Sequence, residues 1–233
     1  MVITIQKMIE VGVHIGHFKR QWNPEMIPYI YTEKNRIHII DVVQTYFHLL
    51  NAAKFLFDSS AQGKTVLFVG TKKQISKLVK KMACQCNSFF VTERWLGGLL
   101  TNWPTIQKSI SKLNDLEKQC QNLSYLQQSK KEISKLKKKK DRLEKYLGGL
   151  KKMPSPPDIV IIIDQQQELT AVQECNKLGI RSVTILDTNG DPNLADLFIP
   201  ANDDSITSLY FILNELSKCI LKGQKKFCNK ISK

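Results

Sequence analysis

Arg94-Trp95-Leu96-Gly97-Gly98-Leu99-Leu100-Thr101-Asn102-Trp103-Pro104 is echoed further along the chain by Tyr146-Leu147-Gly148-Gly149-Leu150. Glycine pairs sit where a chain bends sharply or meets other backbone closely, because the missing Cβ admits positive φ at little steric cost. The two Leu-Gly-Gly pairs therefore read as the exit and re-entry points of one excursion, residues 105–153. Within it Ile133, Leu136, Lys140, Leu143, Leu147 and Leu150 step by three and four, the seam of a coiled coil with one lysine in it. Ile106, Ile110, Leu113, Glu117 and Cys120 form a weaker partner stripe, and polar residues 121–129 a turn. The expectation is a protruding antiparallel hairpin, each helix roughly 16 residues and about 24 Å long.

Outside the excursion, short apolar runs alternate with helical patterns. Strands are expected over 37–40, 66–69, 89–91, 158–164, 182–187 and 197–200. The run 158–164 is apolar on both faces, as a central parallel strand should be. Helices are expected from Tyr46 to a stop at Gly63, through Ile75, Leu78, Val79 and Met82, through Leu169 and Val172 to Gly179, and from Ile206 to a stop at Gly223. Such alternation implies a doubly wound, mainly parallel α/β sheet of Rossmann or flavodoxin type, with the hairpin inserted. The domain would be discontinuous, 37–104 with 154–222. Residues 1–36 read as an irregular N-terminal arm and 223–233 as a basic tail.

The formal net charge is +14, and its distribution says more than its size. Residues 105–153 hold fourteen Lys and Arg against five Asp and Glu, residues 155–216 two against ten, and residues 217–233 six lysines and no acid. Cationic limbs on a nearly neutral body suit a polyanion. Neither limb pairs its lysines with a Trp and Phe face, so a membrane surface is not expected. No apolar run reaches the roughly eighteen residues of a membrane helix. The opening residues lack a signal or transit pattern, so the protein is expected to act where it is made or to have had its presequence removed. Six scattered cysteines read as reduced thiols.

Candidate binding residues fall in four places. His14, His17, Lys19, Arg20 and Trp22, with Arg36 beyond, lie in a glycine-shaped segment that can stack rings on bases and set cations on phosphates, or wrap the core edge. Thr71, Lys72 and Lys73 follow Gly70 at a strand's end, where free N–H groups and a helix start attract an anion. Arg94, Trp95, Asn102 and Trp103 flank the first glycine pair, and Lys137, Lys138, Lys139 and Lys140 run along the hairpin. The histidines match no zinc spacing with Cys84 and Cys86, and no cofactor is implied. Asp164 and Asp187 end adjacent strands, so a magnesium-dependent phosphotransfer site is the enzymatic alternative. No histidine accompanies them within residues 155–216, and most of these aspartates stand where caps and turns want them.

Several motifs carry a resemblance: Gly12-Val13-His14-Ile15-Gly16-His17, Trp22-Asn23-Pro24, Ile37-His38-Ile39-Ile40-Asp41, Val69-Gly70-Thr71-Lys72, the two Leu-Gly-Gly segments, Asp187-Thr188-Asn189 and Ile199-Pro200-Ala201-Asn202-Asp203-Asp204. In order and over nearly the whole chain, they closely resemble the small-subunit ribosomal protein two family of bacteria and plastids. The resemblance implies a non-enzymatic protein on small-subunit rRNA where head and body meet, with a role in docking the large messenger-binding ribosomal protein. Neither a membrane nor a homo-oligomer is implied. The runs 158–166 and 199–204 look most like plastid members, with a bacterial cytoplasm second. A free-standing RNA-binding assembly factor is the other alternative.

Overall fold

The computed structural model describes residues 4–121 and 130–231. Helix α1 (Ile5–Glu10) leads into strands β1 (Ile15–Phe18), β2 (Ile30–Lys34) and β3 (Ile37–Ile40). These pair antiparallel in the order β1-β3-β2, a separate three-stranded sheet. Two expectations are corrected here: the N-terminal segment is not irregular throughout, and the 37–40 strand does not belong with the parallel strands. The cause is the two-residue turn Asn35-Arg36, both at positive φ (53° and 64°), which folds β2 back on β3 with Lys34 opposite Ile37.

The main sheet has β4 (Val66–Val69), β5 (Phe89–Val91), β6 (Ile159–Ile163), β7 (Arg181–Leu186) and β8 (Leu197–Pro200). All pairs are parallel, in the order β5-β4-β6-β7-β8, so the chain reverses its direction of travel across the sheet between β4 and β6. The doubly wound reading is thereby met, and ligands of such sheets bind outside the carboxyl ends at that reversal.

Alternation along each strand divides the core in two. Val66, Phe68, Ile159, Ile161 and Ile163 face helices α2 (Val42–Ser60), α3 (Ser76–Gln85) and α7 (Ile206–Ile231). Leu67, Val69, Val160 and Ile162 face α6 (Leu169–Leu178) together with Trp95, Leu99, Leu100, Trp103, Leu147 and Leu150. Both glycine-pair segments are thus part of the second layer. Each such side chain contributes about 1.5–3 kcal/mol when fully buried.

Helices α4 (Trp103–Gln121) and α5 (Lys130–Leu147) form the excursion. Ile110, Leu113, Leu116 and Leu147 are buried, while Ile133, Leu136 and Leu143 are only half-buried, so the seam is best covered at its foot. Lys151 bridges Glu117 and Glu144 across the pair. Of the expected turn, residues 121–129, Gln121 is the last residue of α4 and the rest lies outside the described residues. Helix α7 does not stop at Gly223. A Cβ there would lie 2.5 Å from the Phe57 carbonyl oxygen, so this glycine lets α7 cross closely over the end of α2. Beyond it Gln224 donates to the Cys86 carbonyl at 2.7 Å and the Phe227 ring lies over Gly63.

Candidate functional site

The carboxyl edge of the parallel sheet is where chemistry was expected, and polar side chains do converge there. Lys72 follows β4 and places its Nζ 2.7 Å from Asp164, 3.1 Å from Asp203 and 2.7 Å from Asp204. Asp164 ends β6 at φ +65°, a left-handed turn. Burial works against the Lys72 charge, yet the carboxylates of Asp203, Asp164 and Asp204 raise its pKa above the ordinary lysine value. Burial pushes Asp203 up to about 7, with Asp187 and Asp164 adding repulsion and Lys72 opposing them.

The three-stranded sheet closes the edge from above. Gly16 of β1 is so close that a Cβ would stand 2.7 Å from Thr188 Cγ2 and 3.1 Å from Asp187 Oδ1. His17 N–H donates to Thr188 Oγ1 at 3.0 Å, Asn23 N–H to the Thr188 carbonyl at 2.8 Å, and Asn202 N–H to the Val13 carbonyl at 3.0 Å. His17 Nδ1 is 2.9 Å from Asp187 and Nε2 is 3.4 Å from Asp204. The hydrogen bond to Asp187 raises the His17 pKa to about 9, over the opposing effect of burial and with help from Asp203 and Asp204. The Gly16-His17 pair is therefore the fastening of the N-terminal sheet to the end of β7.

The anion site expected at Gly70-Thr71-Lys72-Lys73 is filled from within. Helix α3 begins only at Ser76, and the Thr71 N–H donates to Glu168 Oε1 at 2.8 Å. Lys72 is spent on three aspartates, which leaves Lys73 as the exposed cation of that segment. His17, Asp187 and Asp203 bring one donor atom each within 4.8 Å of one another, the group best able to hold a cation among the described residues. The carboxylates cited for phosphotransfer are committed: Asp164 to Lys72, and Asp187 to His17 and the Thr188 N–H. As arranged, the edge braces the fold.

The aromatic candidates divide. Trp95 and Trp103 are buried in the second layer, and Trp22 is half-buried with its ring 5.3 Å from that of His38. His14 Nδ1 is buried and has no hydrogen-bond partner among the described residues. Lys19 pairs with Glu33 at 2.6 Å, whereas Arg20, Arg36, Arg94 and Asn102 are exposed. Lys137, Lys138 and Lys139 are exposed on α5, with Lys140 turned partly inward as the seam required.

Glu174 of α6 escaped the sequence reading. Its carboxylate, buried, accepts from Trp95 Nε1 at 2.9 Å, from the N–H groups of Gly98, Leu100 and Thr101 at 2.8, 2.9 and 3.0 Å, and from Thr101 Oγ1 at 3.2 Å. Burial pushes its pKa up, but these donors outweigh it and hold the carboxyl below the ordinary value. The first Leu-Gly-Gly turn, with Gly98 at φ +81°, is wound around one buried anion. A lone glutamate on a helix's apolar side was the available signal.

The fold and its edge define a doubly wound α/β protein in which the aspartates at the carboxyl ends of β6 and β7 are taken up by its own Lys72 and His17. A family model described as Ribosomal protein S2 matches residues 8–223. The chain is 56% identical over 230 residues to the small ribosomal subunit protein uS2c of Oltmannsiellopsis viridis, covering 99% of this chain and 97% of that protein. It is 46% identical over 223 residues to uS2c of Porphyra purpurea, covering 96% and 92%. With uS2 of a Picosynechococcus species it shares 48% over 223 residues, covering 96% and 87%. The chain belongs to the ribosomal protein S2 family.

Proposed function

We propose that this protein is a structural constituent of the small subunit of a plastid ribosome, held on small-subunit rRNA and not acting as an enzyme. Family membership over nearly the whole chain supports the assignment, together with relatives bearing the name uS2c. The single observation that carries the RNA contact is the exposure, at the foot of α4 and α5, of cations with no acidic partner among the described residues, while Lys72 and His17 at the sheet edge are paired internally. Phosphates supply what those cations lack. The finer reading places the protein where head and body meet, beside neighbouring proteins that include the large messenger-binding one, with α4 and α5 projecting as a basic arm.

Sedimentation of a lysate from cells carrying a tagged chain tests this. The tag should travel with the small subunit and its rRNA and stay there after a wash at moderate salt. A tag found only among free proteins at the top of the gradient sinks the assignment and favours a free assembly factor.

A further inference from the structure

Two cavities share walls along the foot of α5. One of about 690 Å³ lies at the carboxyl ends of β4 and β5 and is lined by Lys73, Arg94, Lys145 and Tyr146 among others. The second, about 450 Å³, lies between α4 and α5 and is lined by Arg94, Lys112, Lys139, Arg142 and Tyr146. Arg94 and Tyr146 line both, so the two adjoin at those side chains and are taken together as one groove.

Its charges are unbalanced. Glu93 is taken by Lys145 at 3.3 Å, Glu168 is buried under the Thr71 N–H, and Lys72 is turned away to its aspartates. That leaves Lys73, Arg94, Lys112, Lys139 and Arg142, all exposed and none with an acidic partner among the described residues. Lys112 and Lys139 come from different helices and stand close enough for Lys112 to lower the pKa of Lys139. Like charges brought together across a groove with no carboxylate between them cost energy unless an anion joins them. Hydroxyls of Thr71, Ser76, Thr92 and Thr170 line the wider end, and the half-buried Tyr146 ring sits in the shared wall.

We propose that this groove receives a single-stranded stretch of RNA, its phosphates on Lys73, Arg94, Arg142, Lys112 and Lys139 and one base against the Tyr146 ring. The proposal rests on the rRNA-binding reading above and adds where the strand runs. Lys72, held by its aspartates, and the buried Trp95 line the wider end, but neither they nor the buried Trp103 are assigned a contact with the strand. An acidic peptide would match the charge but would have no use for the ring, whereas a base stacks on an aromatic face whatever its sequence.

The test uses the full chain and a small-subunit rRNA transcript, with affinity measured across salt concentration. Replacing Arg94, Lys112 and Arg142 together by Gln should make the slope of log affinity on log salt shallower by about 2, at roughly 0.7 to 0.9 per lost phosphate contact. The control Lys54→Gln, Lys81→Gln, Lys177→Gln, three exposed lysines outside the groove and both limbs, should change it by less than half as much. Tyr146→Ala should weaken binding about fivefold or more, with Tyr146→Phe unchanged. Wild-type slope in the groove variant, while the parent binds, overturns the groove and spares the rRNA reading; a parent that binds no rRNA overturns both. A polyglutamate peptide that displaces the transcript as well as a single-stranded oligouridylate of equal charge makes the groove an acidic-protein site and overturns the proposal.

Discussion

Glu174 shows how one side chain can hold a turn that looks, in sequence, like a hinge. Five donors converge on its carboxylate from Trp95, Gly98, Leu100 and Thr101. Without it, four N–H groups would face a buried void, each costing about 1–3 kcal/mol if left unmet. Glu174→Ala should therefore destabilise by about 3 kcal/mol or more, read as a lower urea midpoint. Glu174→Gln, which keeps shape but turns an amide donor on those donors, should cost roughly 1–2 kcal/mol; equal stability of all three proteins would refute the account. His17 makes a second residue-scale case. Its folded pKa of about 9 lies above the ordinary 6.5, so the folded state holds the proton more tightly. The stabilisation is complete below pH 6.5 and is lost as pH rises through 9. Urea midpoints should fall between pH 7 and pH 9.5, and His17→Gln should flatten that fall. Asp203, also raised, adds a decline of the same sign between its ordinary value and about 7.

Elements were legible wherever local pattern and tertiary role agreed. The parallel strands could be read because their apolar residues sit where period and burial coincide, and so could the foot of the α4 and α5 stripes, at Ile110, Leu113 and Leu147. The N-terminal sheet was hidden: β1 and β2 are mostly exposed, and the signal for the β2–β3 hairpin was Asn35 followed by an arginine in a glycine-like conformation. Gly223 misled because a glycine that ends a helix and one that admits a neighbouring helix look alike in one dimension. Of the candidate site, the sequence located the edge but not its occupancy, since nothing local says that Lys72 reaches Asp203 and Asp204 across so much chain. The glycine pairs give an element-scale prediction. A Cβ on Gly149 would lie 2.1 Å from the Phe90 carbonyl oxygen, pressing the foot of α5 off β5, whereas one on Gly97 meets nothing within 4 Å. Gly149→Ala should cost at least about 2 kcal/mol and Gly97→Ala no more than about 0.5. Matching melting temperatures for the two variants would show that the contact is not what the second glycine pair is for.

At the scale of the whole molecule, α4 and α5 both contribute to the second core layer and carry exposed lysines, and the two features separate along their length. Trp103, Ile110 and Leu113 of α4 and Leu147 of α5 belong to the core that covers Leu67, Val69, Val160 and Ile162. Further out, α5 carries Lys135, Lys137, Lys138 and Lys139 exposed on its surface. Cutting the hairpin at different heights should therefore have different consequences. Replacing residues 118–141 by a short Gly-Ser linker removes the outer lysines and leaves the buried foot intact. That chain should melt within a few degrees of the parent, because little apolar area is uncovered, and should bind rRNA with a shallower salt dependence. Removing residues 105–146 instead strips one face of the sheet, and at about 1.5–3 kcal/mol for each buried side chain lost the remainder should not fold cooperatively. If the longer deletion melts as sharply as the parent, the hairpin is an appendage and the second core layer is misassigned. If the shorter one unfolds, the arm's outer half supports the body after all, and charge is not its main purpose.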